Sequence, residues 1–426
     1  MNIKIFAVIL FVITYVCLLS LPRWRTHIAL FSAAIFIAYG IIPLEKVFFA
    51  INWNVILMIG GTMGIVSFFI ESKMPALLGD LVIERTPNVK WAIIALSLFS
   101  GFISAFIDNV ATVLIVAPVA ITIAKKLEIS PVPGIIAISI SSNLQGAATL
   151  VGDTTSILLG GQAGMDFLDF FVFQGKAGMF WIVQAGAIAS AFTLLLVFRK
   201  FRQPVSAHER TKVTEYFPTF LLIGVVIFLI AASFLPAAYK PEITNGLICM
   251  GLLVIGIIWN LIKTRNFDGF KSAIKEIDVF TLLLLTGLFI VIGAVTEAGI
   301  VNDISSFFVS ISAGNVFFVF TLIVWFSVLM SAVIDNIPYV AAMLPVTAGI
   351  ANLMGIPPYL LYFGLLTGAT LGGNLTPIGA SANIAALGIL RKEGHIVKAR
   401  DFMKISIPFT LAAVATGYIL LWLIWS

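Results

Sequence analysis

Two aspartate–asparagine pairs, Asp108-Asn109 and Asp335-Asn336, lie within apolar stretches of this 426-residue chain. They are 227 positions apart, each preceded by isoleucine, and each aspartate is followed ten positions later by a proline, Pro118 or Pro345. An ionisable side chain inside a membrane costs roughly 2.5 to well over 10 kcal/mol, so it marks a pathway or a binding centre by default. A carboxylate there can bind a cation or carry a proton. It can also cap the helix that follows it, and the two roles coexist.

A second pair of segments carries more polar groups. The first is Ser141-Ser142-Asn143-Leu-Gln145-Gly146-Ala-Ala-Thr149-Leu-Val-Gly152-Asp153-Thr154-Thr155-Ser156. The second is Gly372-Gly373-Asn374-Leu-Thr376-Pro377-Ile-Gly379-Ala-Ser381-Ala-Asn383. Glycine, proline and small polar residues in mid-span indicate broken helices, whose unwound backbone offers carbonyls to cations and N–H groups to anions. Close helix packing through small residues is the alternative, and it suits Gly160-Gly161 better. The candidate binding residues are therefore Asp108, Asn109, Asn143, Gly146, Thr149, Asp153, Thr155, Ser156, Asp335, Asn336, Asn374, Thr376, Ser381 and Asn383. Asp153 has no acidic counterpart, because Ala380 stands at the paired position. No Lys or Arg is expected at membrane depth. Asp108, Asp153 and Asp335 must then be protonated, paired with a bound cation or solvated. That points to coupling by H+ or Na+, with no arginine clamp and no resident cofactor or metal.

The chain is 60% hydrophobic and 11% charged, with mean hydropathy +1.11. Soluble domains are roughly 45–50% apolar and about 25% charged. Continuous apolar runs near the 20 residues that cross a bilayer make this an all-α polytopic membrane protein rather than a barrel. Spans are expected near 4–21, 27–43, 53–72, 132–160, 176–198, 216–235, 243–262, 278–298, 357–389 and 403–425. Shorter segments, 91–107 with 111–124 and 315–333 with 337–353, bracket the Asp-Asn sites. Segments of 14–17 residues reach about 21–26 Å, which favours re-entrant hairpins. The run Ile5–Leu21 lacks a basic start and a small-residue cleavage pattern, and reads as a retained first helix.

Loops around 22–26, 73–90, 125–131, 199–215, 263–277 and 391–404 hold 21 of the 25 Lys and Arg residues. The positive-inside rule makes that side cytoplasmic, with both termini extracytoplasmic. The same asymmetry accounts for the net charge of +5 without nucleic acid. Cys17 and Cys249 form no CxxC pair, His27, His208 and His395 fall near span ends or in loops, and no phosphate loop occurs.

The chain divides into N-terminal helices (1–50), a first repeat (51–198, hairpin 91–124), a cytoplasmic linker (199–215) and a second repeat (216–426, hairpin 315–353). Glu71 matches Glu297 at an offset of 226, both read as boundary residues, while the Asp-Asn pairs, prolines and Gly–Thr–Gly segments match at 227. By the charge assignment the two hairpins enter from opposite faces. The halves are then inverted repeats of about five spans, each with a hairpin and a broken helix.

The Asp-Asn tips and the two Gly–Asn–Thr–Gly segments together resemble the ion transporter superfamily, and within it the arsenite permease and sodium/proton antiporter (ArsB/NhaD) branch. The resemblance covers roughly residues 50–420. It implies ion-binding roles for Asp108, Asn109, Asn143, Asp153, Thr155 and Ser156. It further implies a scaffold domain able to form a homodimer, a transport domain moving elevator-fashion, and a cytosolic ATPase partner by family analogy. Sodium/dicarboxylate relatives carry Ser-Asn-Thr at both tips, and the antiporters carry Asp-Thr at the second, where this chain has Asp335-Asn336. The expected function is secondary transport in a prokaryotic plasma membrane, exporting a small inorganic solute such as arsenite or antimonite in exchange for protons or another ion. Sodium/proton exchange, and sodium-coupled uptake of an oxyanion or dicarboxylate, are the alternatives. A passive channel needs a continuous pore, and a membrane enzyme needs a nucleophile with a base or a metal cluster; neither fits these residues.

Overall fold

A computed structural model describes residues 3–126, 129–201, 203–204, 210–236, 239–264 and 277–426. The elements are helices joined by short turns. In the first half they are α1 (Ile3–Ser20), α2 (Arg25–Ala38), α3 (Leu44–Ala50), α4 (Trp53–Glu71), α5 (Met74–Glu84), α6 (Val89–Ser104), α7 (Asn109–Lys126), α8 (Val132–Gly146), α9 (Thr154–Ala163) and α10 (Met179–Val197). In the second they are α11 (Phe217–Ser233), α12 (Thr244–Thr264), α13 (Val279–Glu297), α14 (Ile300–Ile311), α15 (Val316–Ser331), α16 (Asn336–Met354), α17 (Tyr359–Gly372), α18 (Ser381–Lys392) and α19 (Ala399–Trp425). The only strands among the described residues, β1 (Val172–Phe173) and β2 (Lys176–Ala177), pair as a small antiparallel hairpin. Among the described residues seven helices are long and apolar enough to cross a membrane.

The duplication read from sequence extends to the caps. Asn52 accepts from Val55 N at the start of α4, and Asp278, 226 positions on, accepts from Thr281 N at the start of α13. Asn88 accepts from Trp91 N ahead of α6, and Asn315, 227 on, accepts from Phe318 N ahead of α15. Each cap fills one of the donor groups that a helix start leaves open. Pro118 and Pro345 lie inside α7 and α16, where each removes one helical hydrogen bond.

Packing follows the same symmetry. Helix α2 packs on α13 and α12 on α4; α8 packs on both α6 and α7, and α17 on both α15 and α16. Helices α10 and α19 pack on each other. Glycines set the closest approaches. A Cβ at Gly61 would lie 2.6 Å from Cys249 C on α12, and one at Gly287 would lie 2.8 Å from Ala29 C on α2. Offsets of 226 for the glycines and 220 for their partners thus relate α4–α12 to α13–α2.

Several expected boundaries change. The span 27–43 stops at Ala38, because Gly40 takes φ +66° and Pro43 follows; the short α3 comes next. The loop 73–90 contains the short α5, and its counterpart is α14, which with α15 forms an apolar pair bent by 117°. Spans 132–160 and 357–389 are each two helices, as their glycines indicated. Capping starts α7 and α16 at Asn109 and Asn336, so both are longer than expected, and α16 at 19 residues reaches spanning length.

Of the 199–215 linker, residues 202 and 205–209, including His208, lie outside the described residues, as do 265–276 of the 263–277 loop. The rest of the linker is tied to the first half, apart from Glu215, which accepts from Trp259 and pairs with Lys263 on α12. Val89 N and Lys90 N bond Gln203 O and Phe201 O, Arg210 forks onto Glu84 at 2.8 and 2.9 Å, and Thr211 gives both N–H and hydroxyl to buried Asp80. Asp80→Ala removes two bonds to a charged acceptor, each worth about 1.5–3 kcal/mol. Trypsin cleavage at Arg210 or Lys212 is expected to rise roughly tenfold or more, read by limited proteolysis; an unchanged rate would show that the linker is held elsewhere.

Candidate functional site

Each hairpin turns at an aspartate. Asp108 precedes α7, and its Oδ2 accepts from Val110 N at 2.9 Å and Ala111 N at 3.1 Å. Asp335 precedes α16, and its Oδ1 accepts from Ile337 N at 3.2 Å. Both carboxylates therefore cap a helix, as their position in the sequence indicates. The remaining oxygens differ. Asp335 Oδ2 accepts from Ser381 Oγ at 3.2 Å and pairs with Arg25 Nη1 at 3.0 Å. This corrects the expectation that no basic residue reaches the acids. Arg25 was counted with the 22–26 loop, but it opens α2 and its long side chain reaches the tip of the second hairpin, with Nε held by Leu18 O. Asp108 has no ion-pair partner among the described residues.

The broken helices cross behind the tips. Gly152 lies against Gly146 O, Ala105 O and Ser104 O; Gly379, 227 on, lies against Gly373 O, Ser331 O and Ala332 O. Thr149 Oγ1 donates to Ala105 O, and Thr376 Oγ1 to Ala332 O. Ser156 Oγ donates to Gly146 O at 3.0 Å, and Asn383 Nδ2 to Gly373 O at 3.2 Å. Every partner in one half has its counterpart 227 positions on. Each threonine thus ties a break to the turn of its own hairpin, so breaks and tips form one body.

Between the halves runs a buried chain of amides. Asn109 Nδ2 donates to Asn143 Oδ1 at 2.9 Å, and Asn143 Nδ2 to Thr370 O at 2.7 Å and Asn374 Oδ1 at 3.1 Å. Asn374 Nδ2 closes on Ile140 O at 2.9 Å. Asn143 and Thr370 are themselves 227 apart, so equivalent positions of the two halves touch here. Asp153 caps α9 through Thr154 N at 2.7 Å; its Oδ2 takes the Thr155 hydroxyl at 2.9 Å and faces Asn336 Nδ2 at 3.4 Å. At the mirror position Ala380 caps nothing with its side chain. The acid of one broken helix thus meets the hairpin tip of the other half.

These parts enclose a cavity of about 230 Å³. Of the candidates, Asp108, Asn109, Asp153, Asn336 and Ser381 line it. Asn143, Gly146, Thr149, Thr155, Ser156, Asp335, Asn374, Thr376 and Asn383 lie outside its lining, in the hydrogen-bonded layer that shapes it. Sequence reasoning missed Thr154, Asp278, Thr281 and Ser67, which also line it. Asp278 was legible as the 226-offset mate of Asn52, but an acid at a span end reads as a boundary residue. The Ser67 hydroxyl is buried with no partner among the described residues. Among the described residues no Lys, Arg or His lines the cavity, and no three His, Cys, Asp or Glu side chains are set to hold a metal. Carboxylates with amides and hydroxyls suit a proton, a monovalent cation or a neutral hydroxylated solute. A bare anion would meet like charge.

Residues 8–368 match the CitMHS family, described as citrate transporter. The chain is 31% identical over 437 residues to the 46 kDa membrane protein of Mycobacterium leprae, covering 99% of this chain and 98% of that one. It is also 31% identical over 430 residues, with the same shares covered, to an uncharacterized transporter of Mycobacterium tuberculosis. Among solved structures it resembles the Alcanivorax borkumensis YdaH transporter, with TM-score 0.62 over 94% of this chain and 96% of that one at 13% identity; that likeness concerns the fold. The helical polytopic fold, the acid-lined cavity and the extent of these matches make this chain a membrane transporter of the CitMHS family.

Proposed function

We propose that the chain is a secondary active transporter that couples a small solute to protons or sodium, with Asp108 and Asp153 as the coupling carboxylates. The observation that carries this reading is the cavity walled by Asp108, Asp153 and Asp278 and, among the described residues, by no basic side chain. Asp153 is buried and Asp108 partly so, and a carboxylate held away from water needs a proton or cation as companion. A site whose occupancy alternates between ion and solute is what exchange requires.

For the solute, the acidic lining favours a neutral trihydroxy acid such as arsenite or antimonite, whose hydroxyls can donate to carboxylates and to the Ser, Thr and Asn oxygens. Sodium/proton exchange would use the same acids with sodium as cargo. The match over residues 8–368 favours a second reading, citrate. That solute, like any oxyanion or dicarboxylate, would need accompanying protons or cations to enter such a cavity.

Under this reading residues 51–198 and 216–426 are inverted repeats, and the side rich in Lys and Arg is cytoplasmic, with both termini on the other side of a prokaryotic plasma membrane. The body formed by hairpins and broken helices moves elevator-fashion against a frame of α1, α2, α4, α11, α12 and α13, which can dimerise. The ArsB/NhaD resemblance, with its cytosolic ATPase partner, belongs to the same proposal. Proteoliposomes under an imposed pH or sodium gradient test it, with arsenite, sodium and citrate fluxes compared. Gradient-driven arsenite flux is expected; citrate flux alone would establish the second reading. Fluxes that ignore every gradient would overturn the coupling.

A further inference from the structure

The frame and the body of hairpins and broken helices each carry backbone contacts that repeat between the halves, but the joint between them does not. In the frame, the Thr26 hydroxyl donates to Phe280 O, and the mirrored contact is Gly246 N on Asn54 Oδ1. Offsets of 220 and 226 relate these pairs, as they relate Ala29–Gly287 to Cys249–Gly61. The mate of Arg25 is therefore Asn245. In the body, the contacts of Gly152 and Gly379, those of Thr149 and Thr376, and the bonds from Val110 N to Asp108 and from Ile337 N to Asp335 repeat at 227, with Asp153 opposite Ala380 as the exception.

The mirror of Arg25–Asp335 would join Asn245 to Asp108. Asn245 instead reaches Asp166 Oδ1 at 3.5 Å, beside the Lys240–Asp166 ion pair. Asp108 lines the cavity with Met63, Val66, Ser67 and Ile70, all in the C-terminal half of α4, and Ile107 clusters with Val66 and Phe69 there. The second tip meets the opposite end of the matching frame helix: Asp335 is held by Arg25, whose neighbour Thr26 bonds Phe280 O at the start of α13. The Tyr15 hydroxyl adds a bond to Pro338 O at 3.1 Å. Two bodies with repeated internal contacts but an uneven joint sit displaced along each other, here towards the face that carries Asp278.

We infer that Arg25 is a positioning residue, a latch between frame and moving body, whose ion pair with Asp335 holds the body at the end of its travel where the cavity faces Asp278. The inference rests on the moving-body reading above. Arg25 and Asp335 are 21% and 10% exposed at their side chains, so water screens the pair little. Asp335 is faced by Arg25 from α2, Ser381 from α18 and the tip that Tyr15 of α1 holds, with Asp108, Asp153 and Asp278 around the adjoining cavity. Removing the negative charge of Asp335, by a proton or a cation bound there, frees the latch. Loading would then be linked to departure from this end, and an empty body would stay.

Ala111→Cys, in the cavity wall, reports the position. A membrane-impermeant maleimide is applied to reconstituted protein from the Asp278 face or from the opposite face, and the ratio of labelling is measured. Arg25→Gln is expected to shift that ratio roughly tenfold towards the opposite face, within the usual range of coupling between two states. Arg25→Lys should keep most of the parent ratio. Asp335→Asn should match Arg25→Gln, and the double variant should shift no further than either single one. A parent ratio that responds to an imposed proton or sodium gradient, with Arg25→Gln unchanged from it, overturns the latch alone. A parent ratio that no gradient moves overturns the moving body and the latch together.

Discussion

Asparagine in place of Asp153 is expected to leave a folded protein that has lost gradient-driven transport. Asn keeps the Oδ1 that accepts Thr154 N at 2.7 Å, so the cap on α9 survives. Only the Oδ2 side changes. There the Thr155 hydroxyl has an alternative partner in Thr370 Oγ1 at 2.9 Å, and the Asn336 contact at 3.4 Å is long. What disappears is a buried negative charge with no cation beside it. Melting should therefore occur no lower than in the parent, because an uncompensated buried charge destabilises. Ion binding should weaken by about 3 kcal/mol, the worth of a bond to a charged group, or roughly a hundredfold. Cap and carrier separate cleanly. If Asp153 serves only as a cap, Asp153→Asn transports normally and Asp153→Ala loses about 1 kcal/mol of stability. Uptake into proteoliposomes beside thermal melting of both variants decides between them. Full transport by the Asn variant would remove Asp153 from the coupling mechanism.

The duplicated halves, the hairpins and the breaks were legible because each depends on local chemistry. Asp-Asn after an apolar run turns and caps, and glycine with threonine in mid-span unwinds. Those signals lie within a few residues, and the constant offset of 227 repeats them. Arg25 was not legible in the same way. Counting it with a loop is sound for topology, but its partner is 310 residues away, and only packing of α2 on α13 brings it to the second tip. Asp278 and Thr281 were missed for a related reason: a cap at a span end reads as a boundary until tertiary structure sets it against the other half. Sequence thus disclosed the paired local motifs of the two halves. The contact of Arg25 with the second tip, which has no mate at the first among the described residues, is set by tertiary packing alone.

That symmetry carries a prediction for residues with no polar atom in their side chains. Gly152→Ala and Gly379→Ala are each expected to abolish folding, and to equal degrees. A Cβ at Gly152 would stand 2.7, 2.9 and 3.0 Å from the carbonyl oxygens of Gly146, Ala105 and Ser104. At Gly379 the distances are 2.6 Å to both Gly373 O and Ser331 O, and 3.0 Å to Ala332 O. All are backbone atoms, so no side chain can rotate away, and the turn of the hairpin must open instead. Overpacking costs about 1–3 kcal/mol where side chains can adjust; here the break, the hairpin turn and the threonine bond between them move together, which raises the cost. Gly388 in α18 supplies the contrast, with open space where a Cβ would go. Gly388→Ala should hold or gain about 0.5–1 kcal/mol from helix propensity. Yield of monodisperse protein and melting temperature measure all three. Were Gly152→Ala to fold like the parent while Gly379→Ala failed, the two crossings would not be equivalent, and the alignment of the halves that underlies the latch would need a different register.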